Sequence, residues 1–134
     1  MSRREARDTA FKLVFEIPFH GFDYKDRIDF FIDHLETTLS EPEKDYVRNA
    51  VSVCFENLDS VDALIVPLLK NWTISRLPKV SLSILRLAVT EIKYIDEIPY
   101  QVSINEAIEL AKQYGDDEAP AFINGVLDKI DCDR

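Results

Sequence analysis

Four cations stand close together at the amino end of a chain that is otherwise acidic. Arg3, Arg4, Arg7 and Lys12 occur near the start of a sequence with 16 Lys and Arg against 25 Asp and Glu, a net charge of −9. Guanidinium and ammonium groups bind phosphate oxygens, and Arg does so with a planar fork that matches phosphate geometry. The cluster predicts contact with a nucleic-acid backbone. Because the net charge opposes general nucleic-acid binding, that contact must be local.

The spacing of the arginines leaves two interpretations open. In the predicted first helix, Ser2 to Glu16, Arg7 lies one turn from both Arg3 and Arg4, so the three side chains are neighbours. Like charges at this spacing, near the positive end of the helix dipole, are mildly unfavourable for folding, and this favours a binding role. The alternative is a solvated face on which the cations pair with acidic neighbours such as Asp8.

Two phenylalanines are candidates for the same surface. Phe15 lies at the end of the first predicted helix and Phe122 lies at the opening of the last one. Stacking of a base on an aromatic ring is worth about 1–3 kcal/mol, so either ring can add to phosphate binding. Each also fits a position in an apolar core, and that interpretation stays open.

No combination of residues indicates catalysis, a metal or a cofactor. His20 and His34 have no evident partner for acid–base chemistry, and the three glycines stand singly rather than in a phosphate-binding loop. Cys54 and Cys132 are far apart and form no CxxC pair, which indicates two reduced thiols. We therefore predict a binding protein with no catalytic residues, no metal and no cofactor.

Helical periodicity runs through most of the chain. Apolar residues recur every three to four positions, and no segment alternates apolar and polar residues as a strand would. The pattern predicts an all-α fold of about seven helices. The predicted helices span 2–16, 26–39, 40–57, 59–68, 80–95, 103–115 and 120–130.

Several helix ends carry recognisable signals. Ser40 and Ser103 each precede a glutamate by three residues, which predicts a capping box at the start of a helix. Gly115 is placed to end the sixth helix in a left-handed conformation, and Pro120 to open the last one. The helix of residues 80–95 is apolar on nearly all sides, so we predict that it is central.

The length and the termini bound the architecture. A chain of 134 residues fits one domain, 1–134, that buries about two-thirds of its unfolded surface. No apolar run approaches the 18 or so residues of a membrane span, and the first residues do not form an apolar signal sequence. We expect a cytoplasmic protein with no membrane association.

Motifs along nearly the whole chain match one known family. The arginine-rich opening is followed by Asn71-Trp72, by Arg76-Leu77 and by the apolar segment that contains Glu91. The most specific motifs are SINEAIELAK at 103–112 and FINGVLD at 122–128. In this order and spacing they resemble the NusB family of transcription antitermination factors.

The resemblance implies a fold of two packed helical bundles and a role in antitermination during ribosomal RNA transcription. It implies three partners: the ribosomal protein NusE as a heterodimer, the box A element of nascent RNA, and the RNA polymerase antitermination complex. Arg3, Arg4 and Arg7 carry over as RNA contacts, and Phe122 as part of the same surface. Some relatives self-associate through this face, so a homodimer is a further expectation.

Two other functions are compatible with parts of the sequence. A helical protein-interaction adaptor that does not bind RNA is favoured by the acidic balance and by the apolar stretch 119–121. NusB-like domains are also attached to RNA cytosine methyltransferases. Because this chain ends at Arg134 without a cofactor-binding domain, we do not expect it to be an enzyme.

Overall fold

Seven α-helices and three short 3-10 segments form the fold of the computed structural model. It describes residues 3–21, 23–35 and 38–130, and for Arg3 the backbone alone. None of these residues lies in a β-strand, so the prediction of an all-α fold is confirmed. The helices are α1 (Arg3–Glu16), α2 (Tyr24–Asp33), α3 (Glu41–Glu56), α4 (Leu58–Ile65), α5 (Lys79–Tyr94), α6 (Tyr100–Tyr114) and α7 (Ala119–Leu127).

The helices pack as two bundles around α5. One bundle contains α1, α2 and α3, and the other contains α4, α5, α6 and α7. Both α1 and α3 lie against α5, so one continuous apolar core joins the bundles. Eleven of the 16 residues of α5 are buried, which confirms that this helix is central. Among the described residues, no helix is both long enough and apolar enough to cross a membrane.

The predicted start of α3 is confirmed by its capping geometry. The Ser40 hydroxyl accepts a hydrogen bond from the backbone N–H of Glu43 at 3.3 Å, and the Glu43 carboxylate accepts one from the N–H of Ser40 at 2.7 Å. Two backbone donors that the helix leaves free are thereby satisfied. The helix ends at Glu56. Asn57 caps this end and also the start of α4, so α4 begins at Leu58 rather than at the predicted residue 59.

Helix α2 is shorter than predicted. It ends at Asp33, and the next two backbone N–H groups, of His34 and Leu35, bond three residues back instead of four. The prediction extended the helix to Leu39 because that residue continues the apolar spacing. Leu39 does reach the core, at 3% exposure, but from the segment that leads into α3. Apolar spacing marks what is buried and does not require that the helix continue.

The predicted capping box at Ser103 is wrong. Helix α6 begins at Tyr100, one residue after Pro99, so Ser103 lies inside the helix. Proline has no N–H to satisfy, which suits it to a helix start. The side chains of Ser103 and Glu106 are instead drawn to partners on other helices: Glu91 for the first and Arg4 for the second.

Gly115 ends α6 without a left-handed conformation, contrary to the prediction. Its backbone is extended, at φ −91° and ψ 178°, which any residue can adopt. The glycine is needed for space, because a Cβ atom there would lie 2.5 Å from the Cβ of Ala119 and 2.9 Å from the carbonyl oxygen of Ala111. The absence of a side chain lets α7 turn back closely onto α6.

Replacing Gly115 with Ala is therefore expected to destabilise the protein by about 1–3 kcal/mol, the usual cost of overpacking. Gly125→Ala is the matched control, because a Cβ there meets nothing within 4 Å and alanine is the better helix former. Urea unfolding followed by circular dichroism measures both. An unfolding midpoint for Gly115→Ala equal to or above that of the unaltered chain would show that the contact with Ala119 is relieved without cost.

Candidate nucleic-acid interface

Arg7 is not on the surface that the sequence predicted. Its side chain is 5% exposed and forms a bidentate ion pair with Glu91 of α5, at 2.8 and 3.0 Å between nitrogens and carboxylate oxygens. The helical spacing is as predicted, but α1 turns this position toward the core. A guanidinium whose donors face a buried carboxylate is closed to phosphate, so the assignment of Arg7 as an RNA contact is corrected.

The carboxylate of Glu91 accepts hydrogen bonds from residues of three other helices. Besides the two bonds from Arg7, its carboxylate accepts hydrogen bonds from the hydroxyls of Tyr46 on α3 and Ser103 on α6, the latter at 2.8 Å. Glu91 is 1% exposed, so these donors replace the water that the charge has lost. The cluster joins α1, α3, α5 and α6, and with them both bundles.

The protonation states of the cluster suit this structural role. Burial by itself would lower the pKa of Arg7, but the hydrogen bond and the charge of Glu91 outweigh it and the pKa is raised. Burial raises the pKa of Tyr46 well above its ordinary value, and the charge of Glu91 adds to this. Arg7 thus remains a cation, and Tyr46 remains a phenol whose hydroxyl donates to Glu91.

Arg4 lies one turn before Arg7 and faces solvent. Its side chain is 64% exposed, and its guanidinium forms a bidentate pair with Glu106 of α6, at 3.0 and 2.7 Å. Glu106 also lies 3.8 Å from Arg7, and the hydrogen bond from Arg4 lowers the pKa of its carboxyl. The pair fixes the direction of the Arg4 side chain while much of its surface remains open to a ligand.

Lys12 lies two turns further along α1, beside the end of α6. It is 47% exposed, lies 3.1 Å from a carboxylate oxygen of Asp8, and has its ammonium 5.9 Å from the ring centre of Tyr114. The Tyr114 hydroxyl in turn donates to Asp8. Burial by itself would lower the pKa of Lys12, but the hydrogen bond with Asp8 and its charge raise it, so the amine remains charged.

A row of aromatic rings continues the surface past Lys12. Phe11 stacks on Tyr114 with ring centres 4.9 Å apart, Phe15 lies 6.3 Å from Phe11, and Phe19 lies 5.5 Å from Phe15. Phe11 is buried, Phe15 is half-buried and Phe19 is 62% exposed. The row runs from the core to open solvent, so its outer rings can be reached by a flat ligand.

The beginning of α5 connects Phe15 to Phe122. A groove that contains Lys12, Phe15 and Tyr114 is bounded by Val80, and the adjacent groove that contains Phe122 is bounded by Pro78 and Ser81. Phe122 is half-buried, with part of its ring open to the groove. The two predicted aromatic residues therefore lie on the two sides of one short segment.

Three residues of this surface were not among the candidates predicted from the sequence: Phe11, Phe19 and Tyr114. Phe11, Phe15 and Phe19 are spaced by four, which is the signal for a row of rings along one helix face, but only Phe15 was selected. Tyr114 lies far from these residues in the sequence, so no local spacing signals that its ring joins them. Of the other candidates, Arg3 is described by its backbone alone, as the first residue of α1. Cys132 lies outside the described part of the chain. Cys54 is buried, and burial raises the pKa of its thiol to about 11.

Fold and surface together define a class: an all-helical two-bundle protein that presents open cations and aromatic rings along one flank. A sequence model described as "NusB family" matches residues 4–131. The transcription antitermination protein NusB of Natranaerobius thermophilus is 43% identical over 132 residues, which cover 97% of this chain and 94% of that protein.

Two solved structures are similar over almost the whole chain. NusB of T. maritima matches with a TM-score of 0.85 and 35% identity, over 96% of this chain and 89% of that one. The structure of the antitermination factors NusB and NusE in complex with dsRNA matches with a TM-score of 0.84 and 25% identity, over 96% of each chain. The chain belongs to the NusB family, as the sequence motifs predicted.

Proposed function

We propose that this chain is a transcription antitermination factor that binds box A RNA together with the ribosomal protein NusE and promotes processive transcription of ribosomal RNA operons. Membership of the NusB family supports the class of activity, and the similar structure of NusB and NusE with dsRNA supports both partners. The role is one of binding within the RNA polymerase antitermination complex in the cytoplasm, without catalysis.

One observation carries the RNA assignment: Arg4 and Lys12 are open to solvent on one edge of α1, next to partly exposed rings, in a chain of net charge −9. A phosphate backbone binds cations through release of its counterions, and unpaired bases stack on aromatic rings. The edge offers both kinds of contact within a few turns of helix. Arg3 belongs to the proposed surface by its place on α1, and Phe15 and Phe122 by their rings.

The test removes the two open cations. Arg4→Ala with Lys12→Ala is expected to weaken binding of single-stranded box A RNA about tenfold and to reduce the salt slope by about 1.4, or 0.7 for each lost phosphate contact. The free energy of unfolding should be nearly unchanged, because the Arg4 side chain is 64% exposed and that of Lys12 is 47% exposed. Fluorescence anisotropy across a salt series measures the binding, and thermal unfolding measures the stability.

The matched control is Lys44→Ala with Arg48→Ala on α3. This pair also removes one lysine and one arginine, and both lie in surface ion pairs with acidic neighbours. RNA affinity should then stay within about twofold of the unaltered chain, apart from the small effect of net charge. Equal losses in both double variants would mean that overall charge, and not the edge of α1, governs binding.

A second candidate function is a protein-interaction adaptor that does not bind RNA itself. The burial of Arg7 and the pairing of Arg4 with Glu106 favour it, because they leave fewer free cations than the sequence predicted. The same titration separates the two functions. An adaptor would bind NusE while box A RNA shows no saturable binding with or without that partner.

We also retain the homodimer as a proposal. Size-exclusion chromatography with light scattering tests it.

A further inference from the structure

A second groove borders Phe122 on the side away from Lys12. It lies between residues 68–72 and α7, and we call it the Trp72 groove after the ring at its wall. Trp72 and Phe122 line it together with Lys70, Lys129 and Gly125. Trp72 and Phe122 also line the neighbouring groove described above, so the two rings separate one groove from the other.

Trp72 is an unusual residue to find on the surface. It is the only tryptophan of the chain and is 52% exposed. Burial of a ring of this size is among the largest apolar contributions that a side chain can make to folding. Half of it is left in water here, beside a second, half-buried ring, so the position is better suited to stacking with a ligand than to folding.

Gly125 is likewise not explained by folding. It lies inside α7, where glycine is a poor helix former compared with alanine. A Cβ atom at this position would meet nothing within 4 Å, so no neighbour requires the glycine, and its φ is not left-handed. The absence of a side chain at this position leaves space in the Trp72 groove. A ligand that approaches the backbone of α7 closely would account for the residue.

The charges around the groove select an anionic ligand. Among the residues that the structure describes, Lys70 and Lys129 are the charged ones that line it, although the chain as a whole has a net charge of −9. The ammonium of Lys129 donates to the carbonyl of Leu68 at 3.3 Å, which leaves two of its three N–H groups for a ligand. Across Trp72, the neighbouring groove carries Asp116 and Glu118, so the phosphate-binding side is the side of the lysines.

We propose that the Trp72 groove holds an unpaired base of single-stranded RNA, stacked on the indole ring, with a flanking phosphate bound by Lys70 and Lys129. Single-stranded RNA is favoured over duplex because only an unpaired base presents its face to a ring. The groove is continuous with Phe122, so it extends the surface proposed above by one further contact. This inference rests on the proposed function, because the same RNA must first be bound.

The first experiment uses Trp72 as its own reporter. Because the chain has no other tryptophan, intrinsic tryptophan emission reports on this groove alone. Titration with a single-stranded box A oligonucleotide is expected to quench the emission in parallel with the anisotropy of a labelled copy. Binding by anisotropy with unchanged emission would overturn the assignment of the groove while leaving the proposed function intact. No binding by anisotropy, with or without NusE, would overturn both.

The second experiment fills the groove. Gly125→Leu places a side chain into it and is expected to weaken RNA binding about tenfold, the loss of one stacked base. Its unfolding temperature should be unchanged or higher, because leucine is the better helix former and its Cβ atom would meet nothing within 4 Å. Asn124→Leu is the matched control: it is exposed on the same helix, does not line the groove, and should bind RNA normally.

Further variants separate the ring from the charges. Trp72→Ala should lose about tenfold in affinity with little change in salt slope, whereas Lys70→Ala with Lys129→Ala should reduce the slope by about 1.4. Full affinity in Gly125→Leu and Trp72→Ala would sink the proposal. So would emission that changes with NusE alone and not with RNA, because the groove would then be a protein-binding surface.

Discussion

Glu91→Gln is expected to lower the free energy of unfolding by about 3–5 kcal/mol, a large part of the 5–15 kcal/mol that holds a domain folded. The substitution keeps the shape of the side chain and removes its charge. Arg7, with 5% exposure and a raised pKa, then remains a buried cation without its counterion. Differential scanning calorimetry or urea unfolding gives the loss directly.

The control is Glu106→Gln, which removes a carboxylate that also approaches Arg7. Glu106 lies 3.8 Å from Arg7, against 2.8 Å for Glu91, and its main partner, Arg4, is exposed. Its loss should cost less than about 1 kcal/mol. Equal stability of the two variants would contradict the role assigned to the buried pair.

A double variant separates the structural role of Arg7 from its predicted role in RNA binding. Arg7→Met with Glu91→Gln removes both charges, so the uncompensated cation disappears and part of the lost stability should return. Because Arg7 is closed to ligands in the folded protein, the double variant should bind RNA as the unaltered chain does. A folded double variant with strongly reduced RNA affinity would restore the original assignment of Arg7.

The contrast between Arg4 and Arg7 shows where spacing stops being informative. Helical periodicity placed both on the first helix correctly, and their separation of three made them neighbours. Which one turns inward depends on Glu91, which is 84 residues away in the chain. A signal was nevertheless present, because Glu91 is the only acidic residue in α5 and Arg7 continues the apolar row of Ala10 and Val14 at helical spacing.

The two Ser-x-x-Glu motifs show the same limit. Ser40 forms its capping box with backbone groups a few residues away, so local sequence determines the outcome. Ser103 has the same spacing to a glutamate, but α6 begins three residues before it and its hydroxyl donates to the buried carboxylate of Glu91. A local motif predicts structure reliably only where its side chains have no stronger hydrogen-bonding partner from another part of the fold. Functional surfaces are the hardest feature to predict from local motifs, since their residues come from several helices.

NusE is expected to raise the affinity of this chain for box A RNA at least tenfold at physiological salt. The reason is electrostatic: the open cations that the structure describes on the proposed surface, Arg4 and Lys12, are each partly neutralised by an acidic neighbour, Glu106 and Asp8. The net charge of the whole chain, −9, repels a phosphate backbone wherever it is not screened. A basic ribosomal protein at the edge of this surface would supply the missing phosphate contacts.

A filter-binding titration with and without NusE measures this gain, and a salt series identifies its origin. If the partner adds phosphate contacts, the slope of log affinity against log salt should steepen by about 0.7 for each one, whereas a partner that only orders the surface would raise affinity without changing the slope. NusE alone, and the Arg4→Ala with Lys12→Ala variant in the presence of NusE, serve as controls. Because the RNA must lie on both proteins, each control should bind more weakly than the intact pair. Equal affinity with and without NusE would mean that α1 and its aromatic row bind RNA unaided, against the charge of the chain.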